Sequence, residues 1–406
     1  MNYIQLLRRE PAVLSYGALH FFFSGPGQTF FISLFVPYFL LATGATNDSF
    51  NLIYMVATLG SAFTLPWIGG FVDQWKIRNV SLSIGGGLLL FSLLASQVYV
   101  WWMLIPAIFG LRLFGQGMMP LVGSTAIARY FTVARGKALS LINFGISLSE
   151  MTLPLLMVAI ISWAGWRWGW VAMAAMIGLV FIPLIIRLIP LDSPFQIPKK
   201  EEPVPGQKIV KSATRKEVMK DPGFYLLTMV YLFLPMFMTG FMLNQSQIGG
   251  LLGATAAQMA LGISLFGGAR MFFNVLAGPL IDRFTATKSF AFILVPVLTG
   301  LVLLTAFPGV WTIWVFFIMG GMSSSLTSLT TTAMWAELYG TDHLGAIKSL
   351  VSTFVVFSTA VGPVLVGLGL GNMQEFMLLM LITVGVVVLL NVIAFVMVSR
   401  MLKRGE

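Results

Sequence analysis

Three ionisable side chains stand inside long apolar segments of this sequence: Arg112 in WWMLIPAIFGLRLFGQG, Glu150 in LSLINFGISLSEMTLPLLM and Arg270 in GISLFGGARMFFNVLAG. Counted from Trp102, Arg112 lies ten residues into its segment. That is about 15 Å along a helix, half the depth of a ~30 Å hydrocarbon core. Glu150 is reached after a similar climb from Ala138. A charge at that depth costs several kcal/mol unless it pairs or faces a polar cavity, so all three are functional candidates. Arginine presents forked donors that fit a carboxylate, and a buried carboxylate can take up a proton. The three charges sum to +1. If Arg112 and Glu150 pair, Arg270 is left to meet an anion in a wet cavity; the alternatives are a structural partner for Arg270 and an ion pair that merely locks two helices.

Weaker polar candidates sit in other apolar segments. The run Ser24-Gly-Pro-Gly-Gln28-Thr loosens a helix and frees backbone carbonyls near its middle, for a ligand or for a packed kink. His20, one turn before it, is either a titrating group or a hydrogen-bonded packing residue. Asn244, Gln245 and Gln247 could line an entrance, and Asn274 lies one turn from Arg270 on the same helical face. The hydroxyl-rich run Ser323 to Thr332 suits close helix packing. Met238 and Met242 would place two thioethers on one face, a spacing open to cuprous ions, but ordinary core filling is the better explanation, since no histidine–methionine partner stands in the next span. No phosphate-binding loop, metal-spaced histidine cluster or nucleophile elbow is present, so neither an enzyme nor a cofactor nor a metal is expected.

The elements that must position these groups are membrane spans. Hydrophobic residues make up 58% of the chain and charged ones 9%, with a mean hydropathy of +0.91, which excludes an ordinary soluble protein. The first apolar run is long and followed by many more, unlike a cleaved signal peptide. Twelve segments are expected, near 13–42, 50–73, 79–99, 102–129, 138–164, 168–190, 223–250, 256–281, 288–307, 311–337, 345–370 and 375–400. The chain therefore reads as an all-α membrane protein of two pseudo-symmetric six-helix bundles, 1–190 and 223–406, joined by a polar linker over 191–222. Lysine and arginine collect in the turns on one side, from Arg8 and Arg9 through Lys76, Arg129 and Lys137 to Arg404, whereas the other side carries Arg167 in a tryptophan belt. Both termini are thus expected in the cytoplasm, and the basic balance reports topology rather than nucleic-acid binding.

The halves repeat. Gly69-Gly-Phe-Val-Asp73 matches Gly278-Pro-Leu-Ile-Asp282 at an offset of 209 residues (282 − 73), and Gly136 matches Gly345 at the same offset. The buried charges are not copied: the positions equivalent to Arg112, Glu150 and Arg270 are Gly321, Thr359 and Ser61. Two six-helix halves of one orientation mark a transporter with its site where the repeats meet.

The paired turns GGFVDQWKIR and GPLIDRFTATK resemble the glycine, aspartate and basic-residue loop of the major facilitator superfamily, with Gln74 in place of the usual arginine after the first aspartate. Arg112-Leu-Phe-Gly-Gln-Gly117 is similar to that family's arginine-and-glycine motif, which the resemblance associates with energy coupling. The run ARYFTVARGKAL resembles the turn of its organic-anion branches, monocarboxylate and oxalate–formate carriers among them. The signature that eukaryotic monocarboxylate carriers have at the start of span 1 is missing, and Ser149-Glu150-Met-Thr-Leu-Pro154 replaces the Gly-Pro antiporter motif of drug exporters. The resemblance implies a gradient-driven carrier.

Together these readings predict a secondary transporter of a small organic anion, working by alternating access with proton symport, monomeric, in the inner membrane. The substrate-binding set is Arg270, Arg112, Asn274, His20, Gln28, Asn244 and Gln245; Glu150 and Arg112 couple the proton. Asp73, Lys76 and Arg78 in the first half, and Asp282, Arg283 and Lys288 in the second, form gating latches or static tethers at helix ends. The competing readings are an exporter of amphipathic drugs or lipids and a nontransporting membrane sensor.

Overall fold

The structure, a computed structural model, describes residues 3–69, 75–131, 135–189, 213–340 and 344–405. Among these it contains helices and no strand. A surface helix α1 (Tyr3–Arg9) precedes six spans: α2 (Pro11–Gly27 and Thr29–Thr43), α3 (Asn47–Gly69), α4 (Ile77–Ser96), α5 (Trp101–Tyr130), α6 (Arg135–Ala164) and α7 (Trp166–Leu188). A short α8 (Arg215–Val218) leads to α9 (Pro222–Leu243), α10 (Gln245–Leu251), α11 (Ala256–Phe284), α12 (Ala286–Ala306), α13 (Val310–Tyr339), α14 (Leu344–Gly367) and α15 (Met373–Gly405). Eleven of these are long and apolar enough to cross a membrane, and the bent pair that forms α2 makes the twelfth.

Local chemistry sets the helix ends. Pro11 and Pro222 occupy first-turn positions where no N–H is needed. A reciprocal capping box between Thr255 and Gln258 starts α11. Gly44, at φ 67°, ends α2 in the left-handed conformation that glycine adopts without steric cost.

The chain divides into two compact units, Met1–Pro203 and Val204–Glu406. Within each, the same helices pair. The first span packs on the fifth (α2 with α6, α9 with α14), the second on the fourth (α3 with α5, α11 with α13), and the third on the sixth (α4 with α7, α12 with α15). Glycine permits the closest approaches: a Cβ on Gly145 would strike the Ala18 carbonyl, and one on Gly362 the Met236 carbonyl. Large apolar side chains such as Trp67, Leu90, Trp163 and Phe395 point outward, as a lipid solvent requires. The linker expected over 191–222 falls mostly outside the described residues.

Candidate functional site

In the N-terminal half the polar core is built on two irregular helices. The backbone of α2 tightens to a 3-10 turn over Gly25–Gly27, extends at Gln28, and resumes after a 44° bend. Opposite it, α5 widens to a π-helix over Leu111–Met118. Gly27 and Gly115 bring the two into backbone contact, since a Cβ on Gly27 would collide with the Leu111 carbonyl and the Gln116 N–H. The other side of the break faces α6, where Ser149 meets Gly25. The loosened turn of α2 thus lies between the residue beside Glu150 and the π-helix that carries Arg112.

Arg112 is 1% exposed. Its Nη1 donates to the Gly27 carbonyl (3.3 Å), freed by the break in α2, and to Thr29 Oγ1 (3.4 Å). Its Cζ lies 5.0 Å from the centre of the Tyr54 ring on α3, and the Tyr54 hydroxyl shares a 2.7 Å hydrogen bond with Thr29 Oγ1. Among the described residues Nε and Nη2 are buried without a hydrogen-bond partner. The charge is therefore met on one side by a carbonyl, a hydroxyl and a π-face, and the expected pairing with Glu150 is not among its hydrogen bonds. Glu150, 6% exposed, sits in the same half on α6.

The remaining first-half candidates separate by role. His20 is fully buried: Nδ1 bonds the Tyr16 carbonyl (2.9 Å), Nε2 the Ser81 hydroxyl (3.0 Å), and its ring meets Phe181 edge-on. These are the contacts of a packing residue. Gln28 Nε2 donates to Ser24 Oγ (3.4 Å) across the break. Arg167 fastens the opposite end of the half, donating to the Ser96 and Val98 carbonyls at the end of α4 and stacking on Tyr99 and Trp166.

In the C-terminal half Arg270 is half-buried on α11. Gly321 of α13, the repeat equivalent of Arg112, lies against it: a Cβ there would approach the Arg270 amide nitrogen to 3.1 Å. Asn274 Oδ1, one turn along, accepts from Ser325 Oγ of α13 (2.7 Å). Asn244 Nδ2 donates to the Gly240 (2.9 Å) and Pro363 (3.1 Å) carbonyls, joining the end of α9 to α14. Gln245 is buried at the start of α10. Met238 packs its sulfur against Gly320, in keeping with core filling.

Of the latch residues, Asp73 lies outside the described residues, as do the side chains of Asp282 and Arg283. Lys76 and Lys288 are exposed and Arg78 is half-buried. Sequence reasoning missed Glu337, which anchors the start of α12 from α13: its carboxylate accepts from the Ala286 N–H (3.0 Å), the Thr287 N–H (2.9 Å) and the Thr287 hydroxyl (2.6 Å). The acid in Ala-Glu-Leu-Tyr339 was the available signal. Tyr54 and Thr29 were also missed, because nothing in a single sequence brings α3 and the break of α2 beside Arg112.

The family model described as Major Facilitator Superfamily matches residues 18–249 and 234–405. No curated protein matches the chain. Among solved structures it is similar to a bacterial homolog of the human lysosomal transporter Spinster in an inward-facing, unoccupied conformation. That match has a TM-score of 0.73 and 14% identity, covering 97% of this chain and 98% of that one. The occupied inward-facing form of such a homolog matches with a TM-score of 0.70 and 13% identity, over 99% of this chain and 98% of the other. At such identities the likeness speaks for the fold alone. Two six-helix units that repeat the same helix pairing, and a family match running through both, make this multi-pass membrane chain a member of the major facilitator superfamily.

Proposed function

We propose that the protein is a secondary transporter of a small organic anion, moved by alternating access and driven by proton symport. What carries the reading is the edge of Arg112. The Nε–Nη2 pair is the fork that grips a planar carboxylate through two parallel bonds, and it is buried with no protein acceptor among the described residues while Nη1 is already engaged. A buried guanidinium kept in this condition is costly unless an anion completes it. Arg270 supplies a second cation in the other half, and Glu150, buried on α6, is the proton carrier. The protein resides in the inner membrane with both termini cytoplasmic and works as a monomer.

The test is uptake of labelled monocarboxylates, dicarboxylates and a cationic dye into proteoliposomes, with and without an inward proton gradient. Saturable carboxylate uptake stimulated by the gradient is expected. Arg112→Lys, which keeps the charge and loses the fork, raises KM at least tenfold, and Arg270→Gln abolishes uptake in folded protein. Transport of the dye alone would favour an exporter of amphipathic compounds instead. That reading draws support from a mostly apolar crevice of about 150 Å³ in the C-terminal half, lined by Phe233, Phe237, Leu379 and Ile382.

A further inference from the structure

We propose that the end of the N-terminal half beside the chain terminus holds the headgroup of an anionic phospholipid, with α1 lying in the membrane–water boundary as its clasp. The argument starts from Leu6. It is fully buried in a cluster with Leu14 of α2, Ile127 and Phe131 at the end of α5, and Ala138 and Ile142 of α6. One side chain thereby pins a seven-residue helix to the ends of three spans. The neighbouring apolar residues are not covered: Tyr3 and Leu7, one turn apart on the same helical flank, are 47% and 46% exposed. On the far side of α1, Arg8 and Arg9 are exposed in its last turn.

Further cations join from the spans. Lys137 is exposed on α6 with its Nζ 5.9 Å from the centre of the Tyr3 ring, and Arg129 lies half-buried in the last turn of α5. Among the described residues Glu10, which follows Arg9 and accepts from the Tyr130 hydroxyl (2.9 Å), brings one negative charge to a group of four cations. The surface therefore has two parts around one short helix: an apolar pair fit for acyl chains with Lys137 beside it, and exposed arginines on the other flank fit for a phosphodiester. A helix end pinned where spans leave the membrane presents both at headgroup depth, which is how proteins select acidic lipids. A free phosphate would satisfy the arginines and leave Tyr3 and Leu7 in water; a neutral lipid would do the reverse.

The experiment uses the full chain in a neutral detergent and reads the shift in Tm on adding short-chain phosphatidylglycerol, short-chain phosphatidylcholine or inorganic phosphate. Phosphatidylglycerol raises Tm by several degrees and the other two leave it within a degree. Arg8→Gln/Arg9→Gln removes most of that rise without changing Tm in detergent alone, and Tyr3→Ser/Leu7→Ser reduces it. Lys216→Gln/Lys220→Gln, which neutralises exposed cations around α8, leaves it intact. An equal rise with phosphate would make the site one for a soluble anion. An undiminished rise in both α1 variants, or an equal loss in the α8 control, would overturn the assignment.

Discussion

Tyr130 and Tyr339 stand 209 residues apart (339 − 130) and make the same bond in their respective halves. Tyr130, the last residue of α5, donates to Glu10 Oε2 (2.9 Å), and Tyr339, the last residue of α13, donates to Asp221 Oδ2 (2.7 Å). Each acceptor immediately precedes the proline that opens the first span of its half. The joint fastens the end of the fourth span to the beginning of the first, twice over. Tyr130→Phe and Tyr339→Phe should each cost about 1–2 kcal/mol, as expected for a hydrogen bond to a charged acceptor partly open to water. Because the sites lie in separate halves, the double variant should be additive within ~0.5 kcal/mol by thermal unfolding in detergent.

Arg112 separates stability from transport. Replacing it with Met removes a buried charge that has no carboxylate among its hydrogen bonds, so Tm should stay level or rise while carboxylate uptake disappears. A fall equivalent to about 3 kcal/mol or more would mean that the arginine is a structural partner whose loss strands a buried acid.

The crossing of α2 and α5 tolerates no methyl group. Gly27→Ala must push the new carbon into the backbone of Leu111 and Gln116, and overpacking of this kind costs about 1–3 kcal/mol. Gly136→Ala, where nothing lies within 4 Å of the added carbon, serves as the neutral control. Equal Tm values for the two variants would show that the crossing relaxes.

Thr285 is the sole non-glycine residue with positive φ among the described residues, at 68°. A β-branched side chain there is strained, and the three bonds from Glu337 to the next two residues hold it in place. Thr285→Gly should stabilise by roughly 1 kcal/mol, or somewhat less because glycine also loosens the unfolded chain. Glu337→Gln should destabilise by about 2 kcal/mol. Both are read by unfolding of the purified protein.

Lys348 carries a pH signature. It is half-buried near the start of α14, ahead of the membrane-spanning stretch Leu350–Gly367, and desolvation pulls its ammonium below the usual value of 10.5. The folded state thus binds this proton less readily than the unfolded state, so stability should rise with pH between the lowered value and 10.5. Lys348→Met should raise Tm at neutral pH and lose its advantage above pH 10.5. A pH-independent difference would assign the effect to packing.

Much of this architecture could be read from the chain because lipid leaves few options. Apolar runs of membrane length give the spans, and the 209-residue offset of Asp73 and Asp282 gives the repeat before any coordinate is known. Arg112 stood out by its depth alone. Its surroundings did not, because the Tyr54 ring and the Gly27 carbonyl arrive from other helices, and a freed carbonyl has no side-chain signature. His20 shows the opposite difficulty. Its residue type suggests titration, but only the positions of Tyr16 and Ser81 reveal that both ring nitrogens are already occupied. Glu337 was hidden because the aspartate of the repeated turn was the more conspicuous acid.

The π-helical stretch of α5 stores slack. Its wider turn holds more residues than an α-turn, and taking up one of them would swing every side chain beyond it by about 100°. Arg112 sits at the start of that stretch, so a local rewinding would turn the helix beyond it and change which side chains stand around its charge. On the proposed carrier reading, such a rewinding would change the neighbours of a bound anion without first tilting a whole bundle.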